Sequence, residues 1–329
     1  FSIRMNQGYP RNHIGVSMAL LFIGLALLSI DRLGVTFETF VARSTAALEH
    51  KTEIQDDSII HNSIHKLAKE ASFPLHYSTS TNITVVGLVD YCVGDSYITL
   101  KKLIAYNRQT YANKWNYIIF SGSEDVFPVQ TFIEPRAWLK AAYFYQLLTS
   151  TQTRDIDWFL WVDCDALITR FDLSVDDVLS DLKTTSQHHI VLAEDPHTEF
   201  NSGVIFVRNS DWSRDLWGHA LQKASNVSVR EHTWWEQQAL LELYRENIHE
   251  EKTRILITPH RWKINAFYTP RRNDFNSSSF VLHRVNCREQ PACDVLFESF
   301  FCTIMPTTSY PNDIVDCSSA NMTLLKSTR

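Results

Sequence analysis

Glycine is scarce in this chain, 9 residues in 329, and nowhere does it gather into a flexible linker. Internal repeats and low-complexity tracts are absent too, which argues against solenoid and fibrous architectures. Positive charge is not in excess. Thirty-one Lys and Arg against 37 Asp and Glu leave a net charge of −6 and a pI near 6.1, without the clustered basic footprint of a nucleic-acid binder. What the chain does have is apolar material: 44% hydrophobic residues, 12% aromatics and nine tryptophans, ample for one large domain or two smaller ones. Most of these aromatics are expected in the core, although the richness also suits a sugar-binding cleft.

The first 81 residues read as a membrane anchor and its stem. Ile14–Ile30 is 17 residues without a charge, bounded by Arg11 and by Asp31-Arg32. That is at the short end for crossing a bilayer, which takes about 20 residues. No small-x-small cleavage site follows Ile30, so a removed signal peptide is disfavoured. Arg4 and Arg11 place the tail, residues 1–13, on the cytoplasmic side, with the rest lumenal. Residues 31–81 form a polar stem, part helical or a plain spacer, and 82–329 the lumenal domain. Sequons at Asn82, Asn226, Asn276 and Asn321 fit that compartment. So do six cysteines, at 92, 164, 287, 293, 302 and 317, four of them crowded near the C-terminus. The simplest pairing there is 287–293 and 302–317, one of many the sequence allows.

From residue 83 onward strands and helices alternate. ITVVGLV (83–89), YIIF (117–120), WFLWV (158–162), HIVLA (189–193) and GVIFVRN (203–209) are short apolar runs of strand length. Residues 95–115, 137–148 and 234–247 carry helical spacing. This alternation predicts an α/β sandwich around a mostly parallel sheet. Ligands gather at the carboxyl ends of strands in such sheets.

Asp163 and Asp165 stand at one of those ends, directly after WFLWV. On extended backbone, residues i and i+2 project to the same side and Cys164 would turn the other way, into the sheet. Two carboxylates sharing a site repel unless a cation neutralises them, and a hard divalent ion that also binds phosphate does so. A turn or capping role, or a calcium site, is compatible with the pair alone. Phosphoaspartyl hydrolases also place Asp-x-Asp after a buried strand. They want a hydroxyl residue shortly after it, where this chain has Ala166-Leu167. His283 ends another apolar run, FVLHRVNC (280–287), and imidazole is an acceptable Mn²⁺ ligand.

Several segments, taken in order, resemble one family. NRQTYANKWNY (107–117), AWLKAAYFYQLL (137–148), WFLWVDCDALIT (158–169), FNSGVIFVRNSDWS (200–213), EQQAL (236–240), INAFY (264–268) and FVLHRVNC are similar to blocks of glycosyltransferase family thirty-four. That family comprises Golgi α-galactosyl-, α-mannosyl- and xyloglucan α-xylosyltransferases. The resemblance implies a GT-A fold, a nucleotide-diphosphosugar transferase sandwich following a transmembrane helix. It implies a retaining transfer of a hexose or pentose from a UDP- or GDP-sugar to a glycan, dependent on Mn²⁺ or Mg²⁺, in a type II Golgi protein.

By the same resemblance Asp163, Asp165 and His283 would hold the metal. Lys140 is a candidate phosphate contact or else a solvated helix-face lysine. Asn201 and Gly203 would let backbone and amide approach the donor sugar, or merely enter a strand. Asp90, at the first strand's end, would meet the nucleotide base, and Lys263, beside the INAFY block, is a further donor contact. Glu236 and Gln237 are candidates for the catalytic, sugar-facing side of the cleft. No nucleophile stands out beside the two aspartates, which suits a front-face displacement. The chain departs from the family at Asn286, where Gly is usual, and in the acidic EDPHTE (194–199). Implied partners are a nucleotide sugar and a glycan acceptor, no nucleic acid, and a homo- or hetero-oligomer with other Golgi transferases remains open. A phosphohydrolase and a non-catalytic glycan-binding relative are the alternatives.

Overall fold

The computed structural model describes residues 84–92, 98–122, 135–269, 272–285 and 291–304, all within the compact unit Asp57–Arg329. The Ile14–Ile30 run, the stem, the sequons at Asn82 and Asn321, Asn286, and the 287–293 and 302–317 cysteine pairings lie outside these residues or their described side chains. Among the described residues no helix is long and apolar enough to cross a membrane.

Six strands form the main sheet: β1 (Val86–Tyr91), β2 (Ile118–Gly122), β3 (Trp158–Val162), β5 (Ile190–Ala193), β6 (Asn201–Arg208) and β7 (Ile255–Thr258), in the order β2-β1-β3-β6-β5-β7. β1 pairs in parallel with β2 and β3, and β5 with β7; β6 alone runs the other way, between β3 and β5. The expected mostly parallel sheet is therefore present, with one reversed strand that periodicity had no means to reveal.

The unbroken apolar text of β3 follows from burial on both faces. Phe159 and Trp161 enter one core layer with Tyr143, Phe144, Leu147, Trp217 and Leu240. Trp158, Leu160 and Val162 enter the other with Tyr111, Val178, Phe206 and Phe280. The first layer is roofed by α2 (Leu139–Thr149), α4 (Asp211–Lys223) and α5 (Trp235–Glu246), where Phe144 stacks on Trp217 at 4.6 Å. The second layer packs under α1 (Ile98–Trp115) and α3 (Val175–Asp181), the latter closed by a reciprocal Ser174–Asp177 capping box.

A second sheet was not foreseen. β4 (Ala166–Ile168), β10 (Val281–His283), β8 (Ala266–Thr269) and β9 (Arg272–Asn273) lie in the order β4-β10-β8-β9. Strands of two to four residues are too short for an alternating pattern to register. This sheet starts immediately after the two aspartates, and β10 runs antiparallel to β4 with His283 opposite Ala166. It packs with α1 and α6 (Pro291–Ile304) in a third apolar cluster that includes Leu103, Leu167, Leu282, Phe300 and Phe301.

Phe159 is fully buried in the main sheet and meets Phe120 edge-on at 5.7 Å. Phe159→Ala is expected to cost about 3–5 kcal/mol in a urea melt, by transfer loss plus cavity.

Candidate active site

The two aspartates do face one point, but not by the pleat of an extended strand. β3 ends at Val162, and Asp163–Ala166 is a turn closed by the Ala166 N–H on the Asp163 carbonyl at 3.0 Å. Cys164, at the crown of that turn, does not point into the sheet as expected. It is bonded to Cys92, one residue beyond β1, with Cα atoms 5.4 Å apart. The turn is thus tied across to the neighbouring parallel strand. The Asp163 N–H also donates to the Gly203 carbonyl of β6 at 2.8 Å, and the Arg284 N–H to the Asp165 carbonyl at 2.8 Å.

The second sheet carries His283 to this turn. Its Nε2 lies 3.2 Å from Asp165 Oδ1, and both residues are buried. Burial alone would push the imidazole toward its neutral form, but the Asp165 carboxylate outweighs it and the net displacement is upward. The ring fits because residue 203 has no side chain. A Cβ there would run into His283 and come within 2.9 Å of Asn201 Oδ1. Gly203 therefore makes room for the histidine rather than standing open as a strand entry.

Lys140 is not a solvated helix-face residue. It is buried, and its Nζ lies 2.9 Å from Asp163 Oδ1, 2.9 Å from Glu236 Oε1 and 2.9 Å from the Ser202 carbonyl, over the Trp161 ring. These three oxygens match the three protons of an ammonium. Burial would strip a proton, but Asp163 and Glu236 together hold the group in its charged form. Glu236 also accepts from Ser202 Oγ at 3.1 Å, and Gln237 Oε1 accepts from the Ser202 N–H at 2.8 Å. Lys140, Glu236 and Gln237 thus join Asp163 in one buried network through the first residues of β6. Trp161 completes the support, its indole N–H donating to Asp163 Oδ1 at 2.6 Å.

Two predicted donor contacts have other partners. Asp90 is held by the fully buried Arg108 at 2.5 Å, and Arg108 also donates to the carbonyls of Val162 and Asp163. Asp90 therefore helps to fix the turn from beneath, at the sheet end where it was expected. Lys263 forms an ion pair with Asp181 at 2.7 Å, at the end of α3, and its side-chain partners there lie outside the Asp163 network. Asn201 sits beside Gly203 with its amide oxygen taken by the Gly203 N–H at 2.8 Å and its amide nitrogen 3.3 Å from Asp195. Arg108, Asn265, Ser202 and the Cys92–Cys164 bond were missed. A lone arginine or asparagine gives no signal until the fold supplies its partner.

Asp163, Asp165 and His283 offer ligand atoms that all lie within 4.8 Å of one another. The 3.2 Å between Asp165 and His283 is close to the spacing of neighbouring ligands around a cation with bonds of roughly 2.1 Å. Two carboxylates and an imidazole, on a backbone fixed from four sides, fit a divalent metal.

The architecture has a solved counterpart. The crystal structure of a glycosyltransferase involved in the glycosylation of the major capsid of PBCV-1 superposes with a TM-score of 0.51 at 14% identity, over 65% of this chain and 98% of that one. Such a distant likeness shows the fold alone. Comparison with curated proteins gives no match. The sequence itself matches the galactosyl transferase GMA12/MNN10 family over residues 82–187 and 179–294. The chain belongs to that family, and it is an enzyme that transfers sugar.

Gly203→Ala should displace the His283 ring and weaken divalent-metal binding about 10-fold or more, read by calorimetry with the fold checked by circular dichroism. Removing the Cys92–Cys164 bond by serine at both positions opens a loop with a sequence separation of 72. It is expected to destabilise the protein by about 2–4 kcal/mol in thermal unfolding.

Proposed function

We propose that this chain is a metal-dependent, retaining glycosyltransferase that moves a hexose or pentose from a UDP- or GDP-sugar onto a glycan acceptor. The observation that carries the reading is the convergence of Asp163, Asp165 and His283 at the carboxyl edge of a mostly parallel sheet. A half-buried and a buried carboxylate so close together repel unless cations balance them, and a donor diphosphate is the natural companion of a divalent cation held there. Mn²⁺ or Mg²⁺ bound by these three residues would supply Lewis-acid stabilisation of the charge that develops on the departing diphosphate.

The chain's own residues prepare that site. Lys140 pairs with Asp163, and Glu236 holds Lys140 in place. Retention by front-face displacement is supported by the condition of Glu236. Among the described residues it is the buried carboxylate nearest the pair by network, and it is engaged by Lys140 and Ser202 rather than poised as a nucleophile. The departing phosphate would then accept the proton of the acceptor hydroxyl. A Golgi setting, with Ile14–Ile30 as a type II anchor, is supported by Arg4 and Arg11 before that run and by the sequon at Asn226, whose side chain is exposed.

The test uses the full chain with a panel of UDP- and GDP-sugars, with and without Mn²⁺, and measures nucleoside diphosphate release. Release that depends on Mn²⁺, and that falls at least about a hundredfold when Asp163 and Asp165 are both alanine, is expected. Turnover that survives the double substitution would rule out the metal assignment. Hydrolysis of a phosphomonoester without need of a nucleotide sugar would instead favour the phosphohydrolase.

A further inference from the structure

The buried edge where β6, β8 and β10 meet contains a chain of hydrogen bonds whose direction is set at one end by the backbone. The Gly203 N–H can only donate, so the atom of Asn201 that it meets at 2.8 Å is the amide oxygen. That same oxygen lies 2.9 Å from the side chain of Asn265, which must therefore present its NH₂ there. The Asn201 NH₂ is then left facing the Asp195 carboxylate at 3.3 Å, as an amide donor should be. With its nitrogen committed to Asn201, Asn265 turns its oxygen toward His283 Nδ1 at 2.8 Å. An oxygen acceptor requires Nδ1 to carry the proton. In the neutral ring Nε2 is then left with its lone pair directed at Asp165 Oδ1, 3.2 Å away. With the ring neutral, two acceptors face one another at that point, an arrangement that a second proton on the ring or a cation between them completes.

We propose that Asn265 is a positioning residue for the metal centre. Together with Asn201, it locks His283 in the tautomer that offers Nε2 as a ligand. The inference rests on the metal-centre reading above, and it concerns how this chain prepares the ligand rather than which ion it takes. The opposite tautomer would require Asn265 to flip. The flip would set its oxygen against the Asn201 oxygen, in a place where Asn265 is wholly buried and water is not at hand to repair the mismatch. A metal-binding imidazole generally has its other nitrogen fixed by an outer partner in this way. Here that partner is an amide, not a carboxylate, and its orientation traces back to a single peptide N–H at Gly203. The same glycine whose missing side chain admits the ring also directs its protonation.

The experiment labels the histidines of the full chain with ¹⁵N and records the metal-free protein at alkaline pH, where the ring is neutral. His283 is assigned by loss of its signals in His283→Gln. A protonated Nδ1 and a bare Nε2 are expected, and a proton on Nε2 would overturn the proposal. Independently, Asn265→Ala is titrated with Mn²⁺ and free ion is followed by electron paramagnetic resonance. Affinity is expected to fall about 10- to 100-fold while the circular dichroism spectrum is kept. Asn201→Ala, which acts one hydrogen bond further along this chain, should weaken binding in the same direction. Unchanged affinity in a folded Asn265→Ala protein defeats the inference. Absence of Mn²⁺ binding by the unaltered chain defeats the metal-centre reading instead, and the tautomer spectrum still decides the role of Asn265. Should neither variant fold, that spectrum alone settles the matter.

Discussion

Two carboxylates one residue apart at the end of a buried strand repel each other, and much of the surrounding structure answers that repulsion. Asp163 receives the ammonium of Lys140 and the indole N–H of Trp161; Asp165 receives His283. Glu236 joins the same network, so three carboxylates share one lysine and one histidine. Negative charge is in excess there, which suits the cluster to a cation by electrostatics as well as by ligand geometry. The nearby Asp90–Arg108 pair is balanced on its own and acts on the backbone, through the carbonyls of Val162 and Asp163.

The turn between the aspartates is also where the two sheets join. β3 belongs to the main sheet and β4 to the small one, with only Asp163, Cys164 and Asp165 between them to make the change of direction. Because His283 sits opposite Ala166, register in the small sheet decides whether the imidazole reaches Asp165. A slip of one residue would send the ring to the other face. Gly203 and the Cys92–Cys164 bond narrow the freedom of the same few atoms from the other two sides. Such convergence is what a site needs when ligand atoms must hold their places before the ligand arrives.

Legibility in the sequence followed the range of the signal. The five main strands at 86–91, 118–122, 158–162, 190–193 and 201–208 were readable because each buries both faces and so stands out as an apolar run. β7 and the small sheet, apart from the run that ends at His283, were not, being too short or too mixed for a period. Asp163, Asp165 and His283 were recognisable as residue types at strand ends. A turn, not the pleat of the strand, brings the two aspartates to one side. Lys140 could not be sorted between a solvated and a buried role, because a charged residue in an apolar helix reads the same in either case until its partners are known.

The sequence by itself determined the elements that depend on neighbours along the chain: the apolar runs, the helical faces, the aspartate pair and the histidine at the end of its run. Only the tertiary structure decided what those residues meet. It reversed β6, bound Cys164 to Cys92 and gave Lys140 three oxygens from three separate segments. It also passed the direction of one peptide N–H at Gly203 through Asn201 and Asn265 to His283. The reason is physical. Burial and period are properties of a segment, whereas a hydrogen bond or an ion pair exists only when two segments far apart in sequence arrive within about 3 Å of each other.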